Sequence, residues 1–280
     1  MQNAECRMQN LILNKEVTMK KICVITGASS GIGKEFFTEI VSDKHFSFDE
    51  YWVIARNAAR LEELKALTDT PVKVIPLDLS KESSFDEYRS LLEAEKPEIS
   101  LLVNCSGFGK FESTVKVGYE VTMNMIDLNA KATAAMDIIS LDYMKSGDGI
   151  INIASVAGYQ PIPYINVYGA TKAFVLNFTR ALGEEVKHKD IRVMAVCPFW
   201  TKTEFFDRAI KPDEDAVVKK YIAMYEPRQI VGRALSDYKK GKKVSLFGFM
   251  TKAQLALVKL LPIPMVMKVW MGQQGLKNRD

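Results

Sequence analysis

The stretch Lys21-Ile22-Cys23-Val24-Ile25-Thr26-Gly27-Ala28-Ser29-Ser30-Gly31-Ile32-Gly33 decides the fold. Its first half is β-branched and lacks polar alternation, which predicts a buried strand. Its second half carries Gly27, Gly31 and Gly33 within seven residues, and a helical pattern of Phe36, Phe37, Ile40 and Val41 follows. A strand that turns through glycines into a helix makes a phosphate site. Glycine lets backbone approach a pyrophosphate, and the helix N-terminus supplies free N–H groups and the positive end of its dipole. The spacing Gly-x3-Gly-x-Gly differs from the Gly-x-Gly-x-x-Gly dinucleotide fingerprint, so the rest of the chain must decide the ligand.

Working outward, Tyr51–Ala55, Val72–Leu77, Ser100–Asn104, Ile150–Ala154 and Ile191–Val196 predict five more buried strands. Between them lie helical patterns: Leu61, Leu64 and Leu67 ending before Pro71; Phe85, Tyr88, Leu91 and Leu92 behind Ser80 as a cap; a long helix within 124–145; and 167–187 with Phe174, Leu176, Phe178, Leu182 and Val186 for packing. Strands without alternation, separated by helices, imply a parallel sheet covered on both faces. The predicted fold is a single-domain α/β, Rossmann-like doubly wound sheet, in which ligands sit at the carboxyl ends of the strands. Gly27, Arg56, Asp78, Asn104 to Gly107, Ser155 and Pro198 each follow a strand there.

The 280 residues are 48% hydrophobic and 26% charged, with a net charge of +4, which is ordinary for a globular protein and does not argue for nucleic acid. Cys6, Cys23, Cys105 and Cys197 have no metal-ligand spacing, and only His45 and His188 could assist, so no metal site is expected. Scattered thiols in apolar runs point to a reducing, cytoplasmic setting. Residues 1–18 read as a loose extension, or as sequence before a natural start at Met19. The catalytic domain is expected over 19–250 and an amphipathic tail over 251–280, with no run long enough to span a membrane. The tail follows Lys239-Lys240-Gly241-Lys242-Lys243 and a strand-like 244–247; it is apolar over 255–271, with Lys259 and Lys268, and is broken at Pro262 and Pro264. Three readings stay open: a lid over the substrate mouth, a dimer contact, or a peripheral membrane segment. Packing on the body or a twin subunit is the default.

Tyr168 and Lys172 lie four apart in a helical segment, so both project from one face. An ammonium near a phenol favours phenolate and lowers its ordinary value of about 10. Such a pair makes an acid/base. Alone it would read as a surface pair, but Ser155 ends a strand one loop upstream, where its hydroxyl could meet the phenol.

Thr26-Gly27-x3-Gly31-x-Gly33, then Asn129, Ser155, Tyr168 and Lys172 in that order, resembles the short-chain dehydrogenase/reductase family over about 21–204, and more loosely to 249. The resemblance implies that Tyr168 exchanges a proton with a carbonyl or alcohol oxygen and that Ser155 hydrogen-bonds that oxygen. It implies that Lys172 holds the nicotinamide ribose and depresses the Tyr168 pKa, and that Asn129 positions a water for proton relay. It implies nicotinamide cofactor contacts from Gly27, Ser29, Ser30, Gly31, Ile32, Gly33, Asp78, Leu79, Asn104, Ser106, Gly107, Pro198, Thr201 and Thr203, besides Tyr168 and Lys172. Cofactor choice follows from charge. After the second strand stands Ala55-Arg56-Asn57, with no carboxylate for a ribose 2′-OH and a cation suited to a 2′-phosphate, so NADP is favoured over NAD. Two departures from the family pattern are Cys105, where a second Asn is usual, which puts local sheet stability in doubt, and Phe199 in place of Gly. The segments 108–111, 159–164 and 199–206, chiefly Phe108, Phe111, Tyr159, Tyr164, Phe199 and Phe205, with Tyr221 and Tyr225, are the expected substrate walls; their aromatic character points to a hydrophobic carbonyl compound or alcohol. The expectation is an NADP-dependent oxidoreductase, as a homodimer or tetramer. A redox-neutral, epimerase-like enzyme and a silent nucleotide-binding regulator are the alternatives.

Overall fold

The computed structural model describes residues 19–210, 217–218 and 220–276; the expected extension over 1–18 lies outside the described residues. In chain order the elements are β1 (Lys21–Thr26), α1 (Gly31–Ser42), β2 (Glu50–Ile54), α2 (Ala58–Glu62), β3 (Val72–Ile75), α3 (Glu82–Glu95), β4 (Glu98–Asn104), α4 (Thr114–Val117), α5 (Tyr119–Ile126), α6 (Ala132–Leu141), β5 (Gly149–Ile153), α7 (Asn166–Glu185), β6 (Arg192–Val196), α8 (Phe205–Ala209), α9 (Pro227–Lys239), β7 (Val244–Ser245), α10 (Phe249–Leu260) and α11 (Ile263–Gln274). The strands form one parallel sheet in the order β3-β2-β1-β4-β5-β6-β7. All six strands expected from the sequence are present. The strand-like run at 244–247 contributes only two residues, paired with Ala195 and Val196.

The strands read as unbroken apolar runs because both of their faces are covered. Phe36, Phe37 and Ile40 of α1 pack on one face with Val231, Ala234 and Tyr238 of α9. Phe85 and Tyr88 of α3, Met136 of α6 and Leu182 of α7 pack on the other. Each such side chain removed from water contributes about 2 kcal/mol before the entropy of ordering it.

The site is positioned by the reversal of strand order at β1. The chain leaves β1 toward β2 and β3, then returns to place β4 on β1's other side, which opens a crevice at the carboxyl ends. Thr26 ends β1 beside Asn104 of β4. Its buried hydroxyl oxygen accepts from the backbone N–H of Cys105 at 3.1 Å and of Ser106 at 3.2 Å. That tie bears on the Cys105 departure: the backbone there is held by Thr26, and the Cys105 side chain packs against the apolar core.

Local expectations differ in four places. The helix expected within 124–145 is interrupted by a π turn over Asp127–Lys131, because the Asn129 side chain bonds the Phe108 backbone instead of facing solvent. Ser80 does not cap α3. The Asp78 carboxylate captures the Ser80 N–H and hydroxyl, and Lys81 stands at the cap without a side-chain bond. The Leu61–Leu67 pattern is one turn of α-helix followed by a 3₁₀ turn over Glu63–Leu67, whose tighter winding leaves Leu67 exposed while Leu61 and Leu64 are buried. Phe174 lies exposed on α7, stacked on Phe178 at 5.6 Å.

The tail breaks into α10 and α11 at Pro262, as its prolines predict. Leu255, Val266 and Trp270 turn inward, and the Trp270 indole Nε1 donates to the Pro163 carbonyl at 3.0 Å.

Candidate active site

The glycine turn is a floor that side chains would destroy. Gly27 has φ +66°, and a Cβ there would lie 2.8 Å from the Cys105 carbonyl carbon. A Cβ on Gly33 would lie 2.3 Å from the Gly27 carbonyl oxygen. Helix α1 begins at Gly31, its cap Ser30 makes no side-chain bond, and no acidic residue stands in its first turn. The first N–H groups of α1 therefore stay available to an anion.

This turn floors one end of a cavity of about 900 Å³. Of the residues implied for the cofactor, Gly27, Ser29, Ser30, Gly31, Ile32, Gly33, Arg56, Asp78, Leu79, Ser106, Gly107, Tyr168, Lys172, Pro198, Thr201 and Thr203 all line it. Asn104 does not. Its amide Nδ2 donates to Asp137 at 2.6 Å and to Asn152 at 2.9 Å, inside a buried polar cluster beneath the crevice. Asn152 in turn donates to the other Asp137 oxygen at 2.6 Å and to Thr179 at 3.1 Å. Burial pushes the Asp137 carboxyl up to about 8 against the pull of the two amides. A dinucleotide fits the crevice: bare backbone for the pyrophosphate, a guanidinium after β2, and a cluster of hydroxyls and one ammonium at the far end.

At that far end Ser155, Tyr168 and Lys172 meet. Ser155 follows β5, and its hydroxyl is hydrogen-bonded to the Tyr168 phenol. It also accepts from the Ala157 N–H at 3.1 Å, which fixes its rotamer. Tyr168 and Lys172 sit one turn apart on α7, with the Lys172 Nζ 5.9 Å from the phenol ring centre. Lys172 is buried and donates to the Ile153 carbonyl at 2.6 Å.

The electrostatics correct one expectation. The phenol is not lowered. Burial pushes Tyr168 up to about 12, with the Ser155 hydrogen bond pulling the other way. Burial also brings the Lys172 ammonium down to about 8. For both groups loss of water is the largest cause.

Asn129 does not line the cavity; it stands behind it. Its Oδ1 accepts from the Phe108 N–H at 2.9 Å, and its Nδ2 donates to the Phe108 carbonyl at 2.8 Å and to Thr171 at 3.1 Å. A Cβ on Gly107 would lie 2.9 Å from the Asn129 Oδ1 and 3.5 Å from the Lys172 Nζ, so both polar atoms converge on that glycine.

Of the expected substrate walls, Phe108, Phe111, Phe199 and Phe205 line the cavity with Ser155. Phe205 and Phe111 flank the Tyr168 ring at 5.4 and 6.1 Å. Tyr159 and Tyr164 are not wall residues. Tyr159 leaves the site through the 3₁₀ turn Val156–Tyr159, and its hydroxyl accepts from Arg180 at 3.0 Å. Tyr164 has φ +65° and packs in the apolar cluster of Phe111 and Trp270. Tyr221 and Tyr225 likewise lie outside the lining, against Trp200 and Phe247.

Trp200 and Glu204 of the expected 199–206 wall also line the cavity; sequence reasoning missed Arg60, which bonds Glu204 across 144 residues at 2.6 Å. That ion pair joins the β2–α2 side of the crevice to the segment after β6. No local signal marks such a pair. The tail also supplies wall: Gln254, Leu257, Val266 and Trp270 border the cavity.

The family model described as short chain dehydrogenase matches residues 21–214. The chain is 32% identical to an NADP-dependent 3-hydroxy acid dehydrogenase of Escherichia coli, over 71% of this chain and 81% of that one. It is 29% identical to a very-long-chain 3-oxoacyl-CoA reductase of Danio rerio, over 95% of this chain and 84% of that one. Among solved structures, a short-chain dehydrogenase from Sphingobium yanoikuyae in complex with NADPH superposes with a TM-score of 0.71 at 24% identity, covering 86% of this chain and 96% of that one.

Proposed function

The chain belongs to the short-chain dehydrogenase family and is an NAD(P)-dependent oxidoreductase, and from that premise we propose that it uses NADP to interconvert a carbonyl and an alcohol on a small hydrophobic substrate. The observation that carries the reading is the meeting of Ser155, Tyr168 and Lys172 at one end of a cavity whose other end is the bare glycine turn. When bound, the nicotinamide supplies or accepts the hydride. The protein supplies position and the proton. In reduction the Tyr168 hydroxyl gives its proton to the carbonyl oxygen, and in oxidation it takes one from the alcohol. The Ser155 hydroxyl donates a hydrogen bond to the same oxygen as charge develops there.

Lys172 holds the ribose hydroxyls at the nicotinamide end and, with burial bringing it down to about 8, exchanges protons near neutral pH. Asn129 acts as a positioning residue: by clamping the Phe108 backbone it keeps the Gly107 turn clear in front of Lys172 and serves a solvent relay. The rings of Phe111 and Phe205 beside Tyr168 exclude water and favour an apolar substrate. In this reading residues 19–250 are the catalytic body and 251–280 the tail, which supplies wall between Ala253 and Gln274.

The NADP preference rests on Arg56, which lines the cavity after β2 with no carboxylate beside it. A charge-assisted bond of this kind contributes about 1.5–3 kcal/mol, or roughly 10- to 100-fold in affinity. Arg56→Ala is expected to raise the KM for NADPH by that factor and leave the KM for NADH unchanged. A clear NADH preference in the unsubstituted enzyme would end the reading. Screening hydrophobic ketones and aldehydes with NADPH, by absorbance at 340 nm, tests the reaction itself. Turnover that survives Tyr168→Phe would remove the phenol from its role.

A further inference from the structure

The α10–α11 hairpin buries only part of its apolar surface. Phe249 and Leu260 are each 81% exposed and Ile263 is 60% exposed, with Met265 and Val269 continuing the same surface. Phe249, Ala253, Ala256 and Leu260 recur at i, i+4, i+7 and i+11, one stripe of a helix. Exposed Lys252 and Lys259 flank that stripe at i, i+7, and Lys268 is exposed on α11. These three ammonium groups have no ion pair among the described residues. From Lys239 to Arg279 the sequence carries nine basic residues and no acidic one. The cavity rim lies on this same hairpin, because Met250, Leu257 and Val269 both border the cavity and face outward.

We propose that the α10–α11 hairpin seats this protein on an anionic lipid surface, with the cavity rim against the bilayer. Apolar side chains ringed by lysines on a helix pair are the chemistry of an interfacial segment, and no helix of the described residues is long and apolar enough to cross a membrane. A second copy fits the surface less well. A two-fold pairing would gather Lys252, Lys259 and Lys268 of both copies into one interface, with no carboxylate on either hairpin to offset them. Lipid headgroups supply the missing negative charge, at about fivefold in partitioning per lysine held near the surface.

The test is flotation of the full chain with vesicles of phosphatidylcholine alone or with 30 mol% phosphatidylglycerol (roughly the range in which such basic segments respond). The expected result is recovery with the anionic vesicles only, reduced by salt. Lys252→Gln, Lys259→Gln and Lys268→Gln together should lower partitioning about 100-fold. Phe249→Ser, Leu260→Ser and Ile263→Ser together should abolish it. None of these three apolar residues lines the cavity, so NADPH binding and the unfolding midpoint of that variant should match the unsubstituted protein, which separates lost docking from lost fold or a failed nucleotide reading. No flotation on either vesicle would overturn the proposal. So would equal recovery on both vesicles, or a dimer in sedimentation velocity that the serine variant dissociates while vesicles recover nothing.

Discussion

Thr26→Val removes one oxygen from the point where β1 and β4 are tied, and the structure lets its cost be worked out. Valine keeps the shape and β propensity of threonine, so strand packing is conserved. What is lost is the acceptor of two backbone bonds, from Cys105 at 3.1 Å and Ser106 at 3.2 Å. A buried donor left without a partner costs about 1–3 kcal/mol. Cys105 and Ser106 both border the cavity, so water recovers part of what each donor loses. The expected loss is about 2 kcal/mol, read as a lower urea midpoint at unchanged slope. The same variant should weaken NADPH binding several-fold, because Gly107 and Ser106 hang from that tie. A variant within about 0.5 kcal/mol of the unsubstituted protein, which is the range of neutral surface changes, and with unchanged NADPH affinity, would refute the idea that Thr26 holds the crevice floor.

Gly33→Ala should abolish tight nucleotide binding and cost about 1–3 kcal/mol of stability, since its methyl would meet the Gly27 carbonyl oxygen at 2.3 Å; titration with NADPH and urea unfolding check both. Asp137 gives stability an unusual pH slope. Its carboxyl is held at about 8 in the folded protein against 3.8 ordinarily, so the folded state keeps a proton that the unfolded chain releases between those values. This contribution is fully present below about pH 4 and is lost as pH rises toward 8, by about 1.4 kcal/mol per pH unit in between. Urea unfolding at pH 5 and 7 should show that slope in the unsubstituted protein and lose it in Asp137→Asn.

The sheet was legible because its central strands are buried on both faces, so the runs at 21–26, 100–104 and 150–154 lack polar alternation. The site was legible for a related reason: residues following parallel strands are brought together by the fold, so Gly27, Arg56, Ser155 and Pro198 needed no long-range information. What failed was side-chain direction past the strand ends. Tyr159 lies four residues beyond Ser155, and its 3₁₀ turn aims the ring at Arg180 on α7. Asn104 ends a strand like its neighbours, but its amide points down to Asp137, a partner 33 residues away. The π turn at Asn129 reflects the same limit, since the Phe108 backbone that holds it is 21 residues distant. The acidity of Tyr168 was misjudged because a sequence records the neighbouring ammonium and not the depth at which both groups are buried.

Both margins of the sheet are poor templates. On one side β7 offers two residues, and on the other β3 offers four, with the Lys73 ammonium set over the Trp52 ring at 4.7 Å. Strangers cannot extend such short borders by backbone pairing, a protection against fibrous growth that does not depend on the active site. Association between copies of this chain is thereby left to helical flanks, where side chains and not main-chain amides choose the companion.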